Sequence, residues 1–234
     1  MCNILSKIYF ACEKDRQNFK DKYLVDDVCN LSETGCNLIF ILESPYTDEV
    51  EVKHPLAGKS GKAVSKLFEN DEAIGKLIKE QRIKNIGILN VSNIPMDITA
   101  YKCSDLRKGS CVDIVLINWL RKRIGCNKKS IDSIFKDCKE EKKKIIEIFI
   151  KDFRKRIEPL FKTNNNNIFV PCGNVAQAFF DKVKNGFDNC NIRIISNIPH
   201  PARNQWTDEI LKKLRDDKGV KKIIEINNKE TKNG

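Results

Sequence analysis

The sequence predicts an α/β fold: a single three-layer α/β/α domain around a central four-stranded parallel sheet. Three observations carry this. Four short strand-like runs occur, at 37–43 (NLIFILE), 85–93 (NIGILNVSN), 168–173 (IFVPCG) and 191–197 (NIRIISN). Segments of helical period stand between them, which is the pattern of parallel strands joined by crossover helices. The 234 residues show no internal repeat and no linker, and that length suits one domain.

Taken in order, 3–24 reads as an amphipathic helix with Ile4, Ile8, Cys12 and Phe19 on one side. The run 37–43 is almost wholly apolar, as expected of a strand buried on both faces. Ser44 to Lys59, with two prolines and one glycine, reads as a long loop, and 60–81 as one or two helices. The second strand, 85–93, ends in polar residues, and an irregular stretch follows it. Residues 111–124, with Trp119, read as helix. The segment 140–161 is strongly periodic, with Ile145, Ile148, Phe149, Phe153, Ile157 and Leu160 as its apolar stripe, and is expected to stop at Pro159. NNNN (164–167) reads as a turn before the third strand, NVAQAFFDKV as the helix after it, and IPHPARNQW as the loop after the fourth. Thr207 is the expected N-cap of a last helix. The domain is assigned to 1–218, and 219–234 to a charged tail expected to be frayed or loosely helical.

Hydrophobic residues make up 41% and charged residues 32%, enough apolar content for a core and too little bias for general disorder. No stretch approaches the length of an uncharged membrane span, and the N-terminus lacks a basic start and a small-residue cleavage site. The expected compartment is the cytoplasm. The ten cysteines form no C-x-x-C pair, and there are only two histidines, so neither a metal nor another cofactor is expected. Buried small hydrophobes are the reading for these thiols. A net charge of +11 favours a polyanionic partner, with general lysine and asparagine abundance as the competing explanation.

Gly58-Lys59-Ser60 supplies the end of a phosphate-binding loop of the G-x-x-x-x-G-K-[ST] type. Lys53 stands where that pattern needs its first glycine, and the nearest strand ends well upstream. A helix start with solvated lysines is the plainer reading. In parallel sheets, ligands sit at the carboxyl ends of strands. The residues there are Glu43 to Tyr46, Asn90 to Asn93, Gly173-Asn174 and Pro199 to Pro201. A carboxylate, a tyrosine, an asparagine and a histidine therefore converge on one edge. Singly, each has a structural explanation: Glu43 as a cap, Asn90 as a turn residue, His200 as a satisfied loop histidine.

ILESPYTDE…HPLAGKSG, ILNVSN, IFVPCGNVAQAFF and IPHPARNQW occur in the order and spacing of the uracil-DNA glycosylase superfamily, which this chain resembles over about 38–206. The resemblance implies that superfamily's fold and activity: hydrolysis of the N-glycosidic bond of uracil or another deaminated base in DNA, in base excision repair. Glu43 stands where the thermophilic-type branch has its glutamate. Ser44 replaces the water-activating aspartate of the best-known branch, so that role is missing. Tyr46 matches the tyrosine that crowds the site against a thymine methyl. Leu56 stands in place of a phenylalanine that would stack on the base. Asn90 matches the base-reading asparagine and His200 the His-Pro histidine, while Ala202 replaces the serine of that motif. The leucine wedge has no clear equivalent; Arg203 and Gln205 are the candidates. The branch's four iron–sulfur cysteines are not matched.

This resemblance implies Glu43 and His200 as catalytic residues, Asn90, Tyr46 and Leu56 as the base pocket, and Lys59, Ser60, Lys62 and Arg203 as DNA-backbone contacts. HPLAGKSG then reads as a pocket wall that starts a helix beside the phosphates. The expected partner is DNA containing uracil or another deaminated base, bound by a monomer without any membrane role. An asparagine side chain offers one acceptor and two donors, matching N3–H and O4 of uracil. Cytosine presents the opposite pattern. The histidine suits growing negative charge at O2, and the glutamate suits the sugar cation or the water. The competing class is a non-catalytic nucleic-acid-binding protein that retains the glycosylase fold, which the Ser44 and Leu56 departures favour. A third is a nucleotide hydrolase built on the Gly58–Ser60 loop.

Overall fold

The computed structural model describes residues 13–102, 105, 112–127, 130–163, 166–187 and 192–230. Helix α1 is Glu13–Tyr23; Ile4, Ile8 and Cys12 of the expected first helix lie outside the described residues. The sheet contains β1 (Val28–Asn30), β2 (Asn37–Leu42), β3 (Ile86–Asn90), β4 (Asn167–Pro171) and β5 (Arg193–Ile194), in the order β1-β3-β2-β4-β5. Four strands are parallel, and β1 pairs antiparallel with β3 at the edge. The expected four-stranded sheet is thus corrected to five. Val-Cys-Asn at β1 is too short to show a period of two, and only its pairing makes it a strand.

Strand β2 is buried along its whole length because it lies between β3 and β4 with helices on both faces. Its side chains alternate. Ile39 and Ile41 join Leu89, Phe149, Phe153 and Phe179 in one cluster. Leu38, Phe40 and Leu42 join Val64, Leu77, Trp206 and Leu214 in the other. Two clusters on opposite faces of one sheet make a three-layer α/β/α arrangement.

Between β2 and β3 the expected loop contains α2 (Thr47–Val52), followed by α3 (Lys59–Ser65), a 3₁₀ turn at Lys66–Phe68 and α4 (Ile74–Lys79). Glycine is required at two contacts here. A Cβ on Gly61 would stand 1.8 Å from Leu56 O, and one on Gly75 1.8 Å from Pro55 O. The 54–56 backbone therefore rests directly on α3 and α4. Helix α2 separates β2 from Gly58-Lys59-Ser60, so the strand-to-helix phosphate loop is not formed.

Helices α5 (Val112–Asn127), α6 (Ile131–Lys136) and α7 (Glu140–Thr163) connect β3 to β4. Helix α7 runs through Pro159 instead of stopping there. The lost backbone bond is offset by packing, since Phe161 beyond the proline is buried against Phe169, Phe180 and Phe187. Helix α8 (Gly173–Lys184) follows β4, and α9 (Asp208–Arg215) and α10 (Lys218–Glu230) close the chain. The segment expected to be a frayed or loosely helical tail carries Val220 and Ile223 into the second cluster. Among the described residues, no helix is long and apolar enough to cross a membrane.

Candidate functional site at the strand ends

The chain passes from β2 to β3 on one side of β2 and returns to β4 on the other. In parallel sheets such a reversal is where ligands bind, beyond the carboxyl ends of the strands on either side of it, here β2 and β4. Glu43 follows β2 directly, Asn90 is the last residue of β3 in register with Leu42, and Gly173 opens α8 beyond β4. The hydrogen bonds Val91 N→Leu42 O (2.9 Å), Ser92 N→Glu43 O (3.2 Å) and Cys172 N→Ile41 O (2.8 Å) hold these ends side by side.

His200 reaches the same edge through the loop after β5. The bridge between Cys172 and Ile198 and the bond Gly173 N→Ile198 O (2.9 Å) bring that loop onto β4. Gly173 has φ +86°, a conformation that L side chains rarely adopt, and a Cβ there would press on His200 Cβ at 3.1 Å. Trp206 anchors the far side of the loop, buried against Phe40 with its indole N–H donating to Pro199 O at 2.9 Å. The Ala202 N–H donates to His200 Nδ1 at 3.2 Å, so the neutral ring carries its proton on Nε2. Burial, reinforced by the positive charges of Arg121 and Arg203, lowers the histidine to about 4. At neutral pH it is an uncharged donor.

Glu43 forms an ion pair with Arg121 of α5 through Nε, and Arg121 Nη1 bonds Asp97 Oδ2 at 3.0 Å. Burial pushes the Glu43 carboxyl up, and the Arg121 guanidinium opposes it. With both carboxylates ionised, the set carries one net negative charge. Arg121 was not foreseen, because LINWLRKRIG reads as an ordinary helix with solvated cations. Ser44 Oγ accepts the Met96 N–H at 3.1 Å, a structural role.

Asn90 is the most unusual residue of the site. Its side chain is 0% exposed, and neither Oδ1 nor Nδ2 has a protein hydrogen-bond partner among the described residues. Its backbone, by contrast, is fully engaged: its N–H donates to Asp27 Oδ1 (3.0 Å), and its carbonyl accepts from Arg156 Nη1 (2.7 Å). Ser65 Oγ on α3 and Asn93 Oδ1 after β3 share the unpartnered condition, but among the described residues only Asn90 has both amide atoms in it. A buried unsatisfied amide costs about 1–3 kcal/mol, so its retention calls for a reason.

The remaining predicted residues are placed less uniformly. Tyr46 is 49% exposed at the start of α2, with its hydroxyl 3.1 Å from Thr99 Oγ1. Leu56 is 1% exposed at a left-handed φ of 50°, and its side chain lies in the second hydrophobic cluster. The base-facing role expected of this side chain is therefore not met. Glu49 ties the 46–56 segment together by accepting the N–H groups of Tyr46 (2.7 Å) and Leu56 (2.5 Å). Burial raises Glu49 to about 7. Lys59, Lys62 and Arg203 are exposed and Ser60 is half-buried. Arg203 and Asn204 both have φ 56°. An open depression of about 370 Å³ lies elsewhere, on the outer face of α7 between Lys151, Arg154, Lys155, Glu158, Pro159 and Lys162. Among the described residues, no three His, Cys, Asp or Glu side chains are grouped to hold a metal ion. No protein-family model matches the chain, and no curated protein matches it in sequence.

Proposed function

We propose that the protein is a DNA glycosylase that hydrolyses the N-glycosidic bond of uracil or a related deaminated base flipped out of DNA. The observation that carries this reading is the buried, protein-unpartnered amide of Asn90, at the same sheet edge as the Glu43–Arg121–Asp97 set and neutral His200. An imide edge fits an asparagine amide, which accepts from N3–H and donates to O4. Because Asn90 is fully buried, the loops over the strand ends must part before a base reaches it.

In the reaction the C1′–N1 bond breaks and its electron pair leaves with the base. His200 Nε2–H donates to O2 as negative charge grows there, without giving up its proton. With Glu43 and Asp97 ionised, the single net negative charge of Glu43, Arg121 and Asp97 stabilises the positive charge on the sugar. Water adds to C1′ and loses a proton, and the base anion gains one, leaving an abasic site and free base. Exposed Lys59, Lys62 and Arg203 then hold phosphates without reading sequence.

Non-catalytic DNA binding is favoured by a specific pair of observations: Glu43 is tied to Arg121, and Leu56 cannot stack on a base. One experiment separates the two. Oligonucleotides carrying uracil, hypoxanthine, xanthine or a G·T mismatch are incubated with the protein, and abasic sites are cleaved with alkali. Strand cleavage at uracil is expected, with Glu43→Gln and His200→Ala each slowing single turnover by roughly a hundredfold or more. Salt-sensitive binding without any cleavage would establish the non-catalytic reading.

A further inference from the structure

Arg156 lies on α7, far from the strand-end motifs in sequence, yet its guanidinium closes on the backbone at Asn90. Nη1 donates to Asp27 Oδ2 at 2.7 Å and to the Asn90 carbonyl at 2.7 Å. Nη2 donates to the Val91 carbonyl at 2.9 Å, and Nε to Asp152 Oδ2 at 3.0 Å. Asp27, just before β1, completes the ring by accepting the Asn90 N–H at 3.0 Å. The peptide groups on both sides of Asn90 are thus gripped by two side chains that are 129 residues apart in the chain.

Such a cluster is a poor way to gain stability alone. Three charges are withdrawn from water, and apolar residues of similar volume serve a core as well or better. What an arginine fork uniquely provides is direction: its planar donors fix two carbonyls at once, which a point charge cannot do. The strand end that this cluster holds is also the one whose side chain is left without a protein partner among the described residues.

We infer that Arg156 and Asp27 are positioning residues that lock the backbone of Asn90 so that its free amide is preset for an imide edge. This rests on Asn90 being the base reader of the proposed glycosylase. Neither residue touches the base. Their effect is to remove backbone freedom at the recognition atom, where a displacement of about 1 Å is enough to lose a hundredfold in rate.

The test compares the full-length wild type with Arg156→Lys, which keeps the charge but loses the fork. Asp27→Asn, which keeps an acceptor and loses the charge, is the milder second variant should the first fail to fold. Single-turnover excision of uracil is expected to fall about ten- to hundredfold with oligonucleotide affinity held within about twofold. The preference for uracil over cytosine should narrow in step. Nitrogen-15 relaxation of the Asn90 side-chain amide, assigned by its loss in Asn90→Ala, supplies a readout free of catalysis. It should be rigid in the wild type and mobile in the variants. A folded variant with wild-type rate and selectivity, or with an equally rigid amide, overturns the inference. A wild type that excises nothing ends the glycosylase reading instead, and the relaxation comparison still decides whether the clamp exists.

Discussion

Asn90→Ala is expected to remove activity while leaving the free protein as stable as before or more so. The side chain buries two polar atoms without protein partners. Removing them relieves about 1–3 kcal/mol of desolvation. Against this stands the packing lost with the amide carbon, about 0.8 kcal/mol. The net is about 0–2 kcal/mol of added stability, or a Tm higher by about 0–8 °C for a chain of this length. A structural asparagine gives the opposite sign, because breaking a paired buried amide costs about 1–3 kcal/mol. Thermal unfolding by calorimetry, beside single-turnover excision from a uracil oligonucleotide, measures both quantities. A variant that melts well below the wild type while still excising uracil would refute the reasoning, since Asn90 would then be a scaffold residue.

Three further outcomes follow from the site. His200 has a folded pKa of about 4 against an ordinary 6.5, so its neutral form contributes stability that is fully present above about pH 6.5 and lost as pH falls towards 4. In denaturant titrations at pH 7 and 4.5, His200→Gln should lose less stability on acidification than the wild type; equal losses would place His200 in water. Arg121→Gln leaves the Glu43 carboxyl buried without its cation and should push it up further. The acid limb of the excision profile then moves to higher pH, so the variant's loss relative to the wild type deepens as pH falls. An unshifted limb would disconnect the pair from catalysis. Gly61→Ala drives a Cβ to 1.8 Å from Leu56 O and should cost about 3 kcal/mol, read as a melting temperature lower by about 6–12 °C. A wild-type melt would mean that the 54–56 backbone is not seated on α3.

The parallel strands were legible because β2, β3 and β4 are buried on both faces, which demands continuous apolar runs. Edge elements impose weaker demands. Strand β1 has three residues, and its identity comes from the neighbour it bonds to; β5 falls inside the run 191–197 read as a strand, but only Arg193 and Ile194 of that run's described residues pair. Helix α2 was hidden among prolines and charges because none of its residues is buried. The last helix was hidden because its charges outnumber the few positions, Val220 and Ile223 among them, that meet the core.

The candidate site divides in the same way. Sequence alone determined which residues stand at strand ends, because a strand followed by a polar turn is a local pattern. Glu43, Asn90 and His200 were found by that rule. What only the tertiary structure decided is which charges face them. Arg121 stands 78 residues beyond Glu43, and Arg156 stands 66 beyond Asn90. Both lie on helices where an inward arginine and an outward one occupy the same helical pattern. Nothing local distinguishes them, because the difference is the burial of the guanidinium against carboxylates and carbonyls that arrive from other segments. The same holds for Leu56: its sequence neighbours suggest a pocket wall, while a left-handed backbone and the close approach of Gly61 turn its side chain into the core.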